Sequence, residues 1–175
     1  MFSITTAARN HYFESTKNIV EQIDSVLAET INIESLPISI IKIVASDIGC
    51  RAFYHRRAVT LAANSSCFHP NYRGYRYKTF GGIKDLTPAG VFCHEIGHAL
   101  EEVSDIIHSK FESISRDERR ITAYAYTNTS EDIAESTRLY LSNPNLCKIN
   151  IPFRYEILKL IDDDINFSKY KQENL

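Results

Sequence analysis

Several features are missing from this chain of 175 residues, and each absence removes a class of protein. No uninterrupted apolar run approaches the length of about 20 residues that a membrane-spanning helix needs. Acidic and basic side chains nearly balance, and a formal net charge of -2 gives no reason to expect a nucleic-acid partner. Internal repeats and low-complexity segments are also lacking. We therefore expect an ordinary globular protein with no membrane span and no nucleic-acid partner.

The four cysteines are widely spaced, and no two of them form a CxxC pair. Cysteine zinc sites need closely paired thiolates, so a zinc ribbon is excluded. One alternative is a disulfide between Cys50 and Cys67 across a hairpin, and the other is four reduced thiols packed as small hydrophobes. Cys93 precedes a histidine, but neighbours on a helix point about 100° apart, so we expect Cys93 to pack rather than to bind metal.

The first residues and the composition of the chain indicate where in the cell the protein acts and how many domains it has. Residues 1–16 contain polar and charged residues throughout and lack the apolar core of a signal peptide. We therefore expect a cytoplasmic protein, or one that reaches a host cell by a route that needs no signal peptide. With 43% hydrophobic residues, the length suits a single domain over residues 1–175 with one buried core.

The first half of the chain combines one helical pattern with strand-like stretches. Apolar residues recur at helical spacing over residues 6–30. The isoleucine-rich stretch at 38–45 predicts a strand, and the stretch at 52–63 predicts a second one. The tyrosine-rich stretch at 68–80 fits either a twisted edge strand or an ordered loop, and the glycine pair at 81–82 ends it.

The second half is punctuated as a series of helices. Thr129 or Ser130 can cap a helix that covers residues 131–141, and the Asn-Pro pair at 143–144 ends it. Proline opens a last amphipathic helix over residues 152–165. With the strands of the first half, these helices predict an α+β fold that has a small mixed sheet and a helical C-terminal half.

The chemistry of the chain is concentrated in the segment His-Glu-Ile-Gly-His at 94–98. A Thr-Pro pair at 87–88, an N-cap residue followed by proline at the first helical position, places this segment on a helix. Residues four apart on a helix share one face, so His94 and His98 can both reach one zinc ion at about 2.0–2.1 Å. Glu95 flanks the metal without binding it, which suits a base acting on water. The segment predicts an active-site helix that binds one Zn2+ ion.

Gly97 lies inside this helix, where glycine costs about 1 kcal/mol relative to alanine. A packing requirement is a plausible reason for that cost. A bare backbone at this position would let a neighbouring segment approach the helix closely.

A third ligand is needed beside the two histidines. A metzincin would have glycine three residues after His98 and histidine six residues after it, but Glu101 and Ser104 stand there, so that class is excluded. The remaining arrangement takes a glutamate from a second helix, and Glu131 and Glu135 lie four apart on one helix face. Either one can bind zinc while the other orients a ligand histidine through its free ring N–H.

These segments resemble the gluzincin metallopeptidases, and within them the catalytic domain of anthrax-toxin lethal factor. In that family a Tyr-x-x-Thr-Asn segment leads into a helix that reads Glu-x-x-Ala-Glu, and here Tyr124 opens such a segment before Glu131. The resemblance implies a zincin-like single domain in which Glu131 is the third zinc ligand and Glu135 supports the site behind it. It also implies that Tyr124 stabilises the developing oxyanion, with Tyr126 as the competing candidate.

The chain also departs from that family. Asp132 and Ile133 stand where lethal factor has aromatic residues, so the packing under the zinc helix must differ. Residues 1–80 contain no specific match, so the substrate cleft is not inherited from the resemblance. The order of segments along the chain places residues 73–80 where zincins use an edge strand to bind peptide by strand addition.

These observations predict a zinc-dependent endopeptidase that hydrolyses a peptide bond in a protein or peptide substrate, with Glu95 as general base. A bacterial effector acting on a host protein is one setting for such an enzyme. Two alternatives stay open from sequence: a non-catalytic interaction module that zinc stabilises, and a zinc amidase that acts on a non-protein substrate.

Overall fold

A mixed sheet and a set of helices form the fold in the computed structural model, which describes residues 3–6, 12–72, 78–79, 82–83 and 85–170. The strands are β1 (Ser3–Thr6), β2 (Ile40–Val44), β3 (Ala52–His55), β4 (Ala58–Ala62), β5 (Lys78–Thr79) and β6 (Gly82–Ile83). The helices are α1 (Phe13–Glu29), α2 (Pro88–Val103), α3 (Ile107–Ile114), α4 (Thr129–Ser142), α5 (Pro144–Asn150) and α6 (Pro152–Ile165). Short 3-10 turns lie at Ile33–Ser35, Ser66–Phe68 and Tyr124–Tyr126.

The main sheet has the strand order β1-β2-β4-β3. Its first three strands are parallel, and β3 pairs antiparallel with β4 at the edge of the sheet. The short strands β5 and β6 form a separate antiparallel pair. The predicted α+β fold with a small mixed sheet and a helical C-terminal half is therefore confirmed. Strand β1 was not predicted, because four residues are too few to give a periodic signal.

The single strand predicted over residues 52–63 is wrong, since this stretch folds into the hairpin of β3 and β4. The turn consists of Arg56 and Arg57, which have φ angles of 48° and 64°. Two consecutive residues in the left-handed region form the tight hairpin turn that usually requires Asn and Gly. An Arg-Arg pair carries no such turn signal, and this is why the sequence pattern reads as one strand.

The core lies between the sheet and the helices packed on it. Strand β2 alternates buried Ile41 and Ile43 with exposed Lys42, so one face of this strand is directed to the core. Phe92 and Ile96 of α2 are fully buried in the same cluster. Strand β4 is buried along its whole length, as expected for an inner strand of the sheet.

Several helix predictions are confirmed, and one cap was misassigned. Thr87 caps α2 by accepting a hydrogen bond from the Gly90 N–H at 3.2 Å. Helix α4 is capped by Asn128, whose side-chain oxygen accepts from the Glu131 N–H at 2.8 Å, and not by Thr129 or Ser130. Helices α3 and α5 were not predicted; both are short, and neither has a long apolar period.

The four cysteines are free thiols, and the alternative of a Cys50–Cys67 disulfide is not realised. Cys93 packs in the core, as expected, and burial raises the pKa of its thiol to about 12. Among the described residues there is no helix with both the length and the apolar character to span a bilayer.

The hairpin turn yields a stability prediction. Replacing Arg56 by Asn together with Arg57 by Gly should raise the free energy of unfolding by about 1 kcal/mol, because a side chain in the left-handed region costs about 1–2 kcal/mol. Urea unfolding measures the change. The double change to Gln is the matched control, since it removes both charges and keeps the strained backbone. If the Gln variant gains as much stability, repulsion between the arginines is the cause and the strain explanation fails.

Candidate metal centre

The site is built where helices α2 and α4 cross at very short distance. A Cβ atom placed on Gly97 would lie 2.5 Å from the Cα atom of Ala134 and 3.2 Å from the Cβ atom of Thr137. No other residue type fits at position 97 without moving α4, so the packing reason expected for this glycine is confirmed. The close approach brings the histidine face of α2 against the glutamate face of α4.

Three side chains converge at this crossing, namely His94 and His98 from α2 and Glu131 from α4. The Oε2 atom of Glu131 lies 3.1 Å from Nε2 of His94 and 3.7 Å from Nε2 of His98. One donor atom from each residue lies within 4.8 Å of the others. Among the described residues this is the group of histidine, cysteine and acidic side chains that can hold a metal ion.

The geometry of this group suits a tetrahedral zinc ion. Atoms bound to one tetrahedral ion at about 2.0–2.1 Å lie about 3.3 Å apart, close to the two separations seen here. The Oε2 atom of Glu131 is buried and accepts no hydrogen bond from the described part of the chain. Such an atom is costly unless something else binds it, and a cation between the imidazoles would do so. Two imidazoles and one carboxylate are a common zinc donor set that leaves one position open.

Glu135 holds His94 from the side opposite to Glu131. The Nδ1 atom of His94 lies 2.9 Å from Oε1 of Glu135, and Arg138 donates from Nη2 to the other carboxylate oxygen at 2.6 Å. Because Nδ1–H donates to Glu135, Nε2 is left to face the metal position. Glu131 therefore has the ligand position and Glu135 the supporting one, as the resemblance implied. Their roles in binding an ion stay predictions.

A carboxylate that the sequence reasoning missed lies near His98. The Oε2 atom of Glu101 lies 3.6 Å from Nδ1 of His98, and Ser130 donates to its Oε1 at 2.9 Å. Glu101 follows His98 by three residues, a spacing that places both on one side of the helix. That spacing was a usable signal, although Glu101 was considered only as a mismatch to the metzincins.

Charges at the centre are strongly coupled. Burial lowers the pKa of His94, but Glu131 and Glu135 more than compensate and raise it to about 9. Burial raises the pKa of Glu131, while His94 and His98 outweigh this effect, so the net shift of its carboxyl is downward. The cluster thus stabilises a positive charge between the two glutamates, and a bound cation satisfies the same requirement.

Glu95 is close to the three converging atoms without being one of them. Its side chain is only 4% exposed, and burial raises the pKa of its carboxyl above the ordinary value. It lines a cavity of about 240 Å³ together with His94 and Tyr124. The carboxylate also faces the backbone amide of Tyr54 on strand β3, which lowers its pKa in part. Glu95 is therefore held between helix α2 and the edge of the sheet.

The two tyrosines of the 3-10 turn differ in what they contact. Tyr124 donates from its hydroxyl to Oε1 of Glu131 at 3.0 Å, and its ring centroid is 6.0 Å from that of His94. Tyr126 lies under the guanidinium of Arg120 at 5.4 Å. Of the two candidates for an oxyanion donor, the structure places Tyr124 at the centre. Burial and Glu131 raise the pKa of Tyr124 to about 12, so its hydroxyl remains a proton donor at neutral pH.

Asp132 takes part in a buried ion network behind the site. Arg154 of α6 donates to Oδ1 and Oδ2 of Asp132 at 2.9 and 2.7 Å, and Arg154 is fully buried. Arg120 lies 3.2 Å from the same carboxylate and donates to the carbonyl of Ala125 at 2.9 Å. The network ties α4 to α6 and to the turn that carries Tyr124. It accounts for an aspartate at a position where the resembled family has an aromatic residue.

A scan against protein-family models found no match to this chain. A search of curated proteins found no significant relative either. The site is therefore interpreted from its own geometry.

The helix crossing predicts that Gly97→Ala destabilises the protein by about 1–3 kcal/mol, although alanine alone favours a helix. The added methyl group must push α4 away from α2, and this separates the glutamate from the histidines. Urea denaturation should show a lower free energy of unfolding, and a zinc titration should show a lower affinity for zinc. The control is Val103→Ala, a truncation at a half-exposed position of the same helix. A Gly97→Ala protein as stable as the wild type would contradict the close crossing.

The opposed positions of the two glutamates predict different effects on metal affinity. Glu131→Gln should abolish stoichiometric zinc binding, because it removes the charged oxygen that faces both imidazoles. Glu135→Gln should retain one zinc with affinity weakened about 10–100-fold, as expected for a residue that only orients a ligand. Competition with a zinc chelator measures both, and Glu156→Gln on the exposed face of α6 is the control for lost charge. If Glu135→Gln weakens zinc binding more than Glu131→Gln does, Glu135 is the ligand and Glu131 is the residue that orients the histidine.

Proposed function

We propose that this protein is a zinc-dependent peptidase whose centre consists of His94, His98, Glu131 and the base Glu95. The observation that carries the proposal is the convergence of three metal-binding atoms from two helices beside a buried glutamate that is not one of them. A zinc ion bound by the first three residues would supply Lewis-acid chemistry, polarising a water molecule and a substrate carbonyl. The other groups of the site can then be assigned from their positions.

Glu95 is the proton carrier in this proposal. Burial favours the neutral form of its carboxyl and His94 and His98 favour the charged form, so the group can both accept and release a proton. It would take a proton from the attacking water and later deliver it to the amine that leaves. The backbone amide of Tyr54 faces the same carboxylate and favours its charged form.

Tyr124 also lines the cavity. Its ring is half exposed, and in the structure its hydroxyl donates to Glu131. The same hydroxyl is placed to donate to the carbonyl oxygen of a substrate as that oxygen gains negative charge. The hydrogen bond to Glu131 would be exchanged for the stronger one to the oxyanion.

The edge of the sheet favours a peptide over other amides. Strand β3 is terminal in the sheet order, and Ala52 at its start lines the cavity with His94 and Glu95. An extended peptide can add to such an edge and bring a backbone carbonyl to the metal centre. The edge strand predicted at 73–80 falls largely outside the described residues, so β3 takes that place in the proposal.

The two alternatives make different demands on the site. A zinc-stabilised interaction module needs ligands only, and it gives no reason to bury a carboxylate at Glu95 beside an open cavity. A zinc amidase would use the same base without a sheet edge. Action in the cytoplasm or inside a host cell stays a prediction from the sequence.

The role of Glu95 predicts that Glu95→Gln retains zinc and the fold but loses turnover by a factor of about 100 or more. The amide keeps the size of the side chain and cannot accept the proton of water. Zinc content by elemental analysis and cleavage of a proteome-derived peptide library provide the two measurements. A Glu95→Gln protein that cleaves peptides at the wild-type rate would refute the proposed mechanism.

The position of Tyr124 predicts that Tyr124→Phe lowers kcat about 10–1000-fold with little change in KM, since the hydroxyl acts on charge that develops in the transition state. Tyr126→Phe is the matched control from the same turn and should be nearly silent. Steady-state kinetics on a cleaved peptide separate kcat from KM. Equal losses in both variants would mean that the turn is needed only as a structure.

A further inference from the structure

The cavity beside the proposed metal centre has two arginines in its wall, Arg51 and Arg138. Arg138 is engaged by Glu135 at 2.6 Å, so its charge is compensated within the protein. Arg51 is exposed and forms no ion pair with any described residue. Asp47, which shares the neighbouring recess with Arg51, accepts a hydrogen bond from the Gly49 N–H at 2.8 Å. The charge of Arg51 is therefore the one available to a ligand in this cavity.

A second arginine without a carboxylate partner lies at the other end of the same strand. Arg56 forms the tip of the hairpin and is exposed, with no ion pair in the described part of the chain. Its neighbour Arg57 is also exposed and has no ion pair among the described residues, and its charge acts on the hydroxyl of Tyr54, which donates to Glu102.

Both arginines flank the edge where a peptide would add. Strand β3 begins at Ala52 beside the cavity and ends at His55, next to Arg56 at the tip, and its three residue steps span about 10 Å at 3.3 Å per residue. A peptide paired antiparallel to β3 would have its N-terminal residues at the tip and its later residues at the cavity. Carboxylates near the scissile bond would meet Arg51, and carboxylates a few residues upstream would meet Arg56.

We propose that this edge selects acidic peptides, with Arg51 and Arg56 as the residues that determine specificity. The inference rests on the proposed peptidase function, and it adds the substrate class. Guanidinium groups bind carboxylates through paired, charge-assisted hydrogen bonds, which lysine does not reproduce. Basic and neutral peptides gain nothing from either arginine, and basic ones are repelled.

The test measures binding separately from cleavage. Zinc-loaded Glu95→Gln protein is titrated with short fluorescent peptides that contain Glu, Gln or Lys at the same positions, and anisotropy is recorded. The Glu peptide should bind about 10-fold or more tighter than the Gln peptide. In the same Glu95→Gln protein, the further substitution Arg51→Gln or Arg56→Gln should weaken binding of the Glu peptide about 2–5-fold, the range expected for exposed ion pairs. Raised salt should reduce the preference.

Arg116→Gln is the matched control, since Arg116 is exposed on the turn after α3 and carries the same charge. Equal affinity for Glu and Gln peptides, or an equal loss in the Arg116 variant, would overturn the inference. The wild-type enzyme and the peptide library then test the function itself. If the enzyme cleaves peptides without enrichment of Asp or Glu near the scissile bond, the peptidase function is supported and the acidic preference is refuted. If acidic peptides bind in a way that depends on Arg51 but no peptide is cleaved, the acidic preference is supported and the peptidase function is refuted.

Discussion

The centre of this protein depends on the contact between Gly97 of α2 and Ala134 of α4. A Cβ atom at position 97 would lie 2.5 Å from the Cα atom of Ala134, so the two helices approach as closely as backbones allow. Because both helices are rigid, this single contact sets the separation of the imidazoles from the carboxylate of Glu131. Glycine inside a helix lowers stability by about 1 kcal/mol relative to alanine, and the close helix approach at the site requires it.

The buried ion network, together with the buried residues of α4, fixes the rotation of this helix about its axis. Arg154 binds Asp132 through two hydrogen bonds, and Arg120 links the same carboxylate to the turn of Tyr124. Removing one partner of a buried pair leaves an uncompensated charge, at a cost of about 3–5 kcal/mol. Asp132 thus directs Glu131, its neighbour in sequence, toward the histidines. The turn of Tyr124 and the glutamate are positioned by the same group of charges.

The sheet contributes the other wall of the site. Strand β3 is held by β4 on one side, and on the other its Tyr54 amide faces the Glu95 carboxylate. The helix and the sheet edge therefore meet at the proposed base, and the cavity begins at this junction. A substrate laid along β3 would contact residues from the hairpin at one end and from α4 at the other. In the proposed function, the helices would therefore supply the chemistry and the sheet edge the selectivity.

The sequence by itself determined what depends on short spacing. It predicted helix α2, the shared face of His94 and His98 and the helix of Glu131, because caps, prolines and four-residue periods act within one element. Tertiary structure decided what depends on the relative placement of elements. Glu131 faces Nε2 of both histidines, whereas Glu135 contacts Nδ1 of His94. Two glutamates on one helix face are equivalent until a second helix is packed against them. It also made a hairpin of the second predicted strand, because a turn without glycine gives no signal in the sequence. Finally, it brought Arg51 to the cavity, because a contact between residues far apart in sequence leaves no periodic pattern.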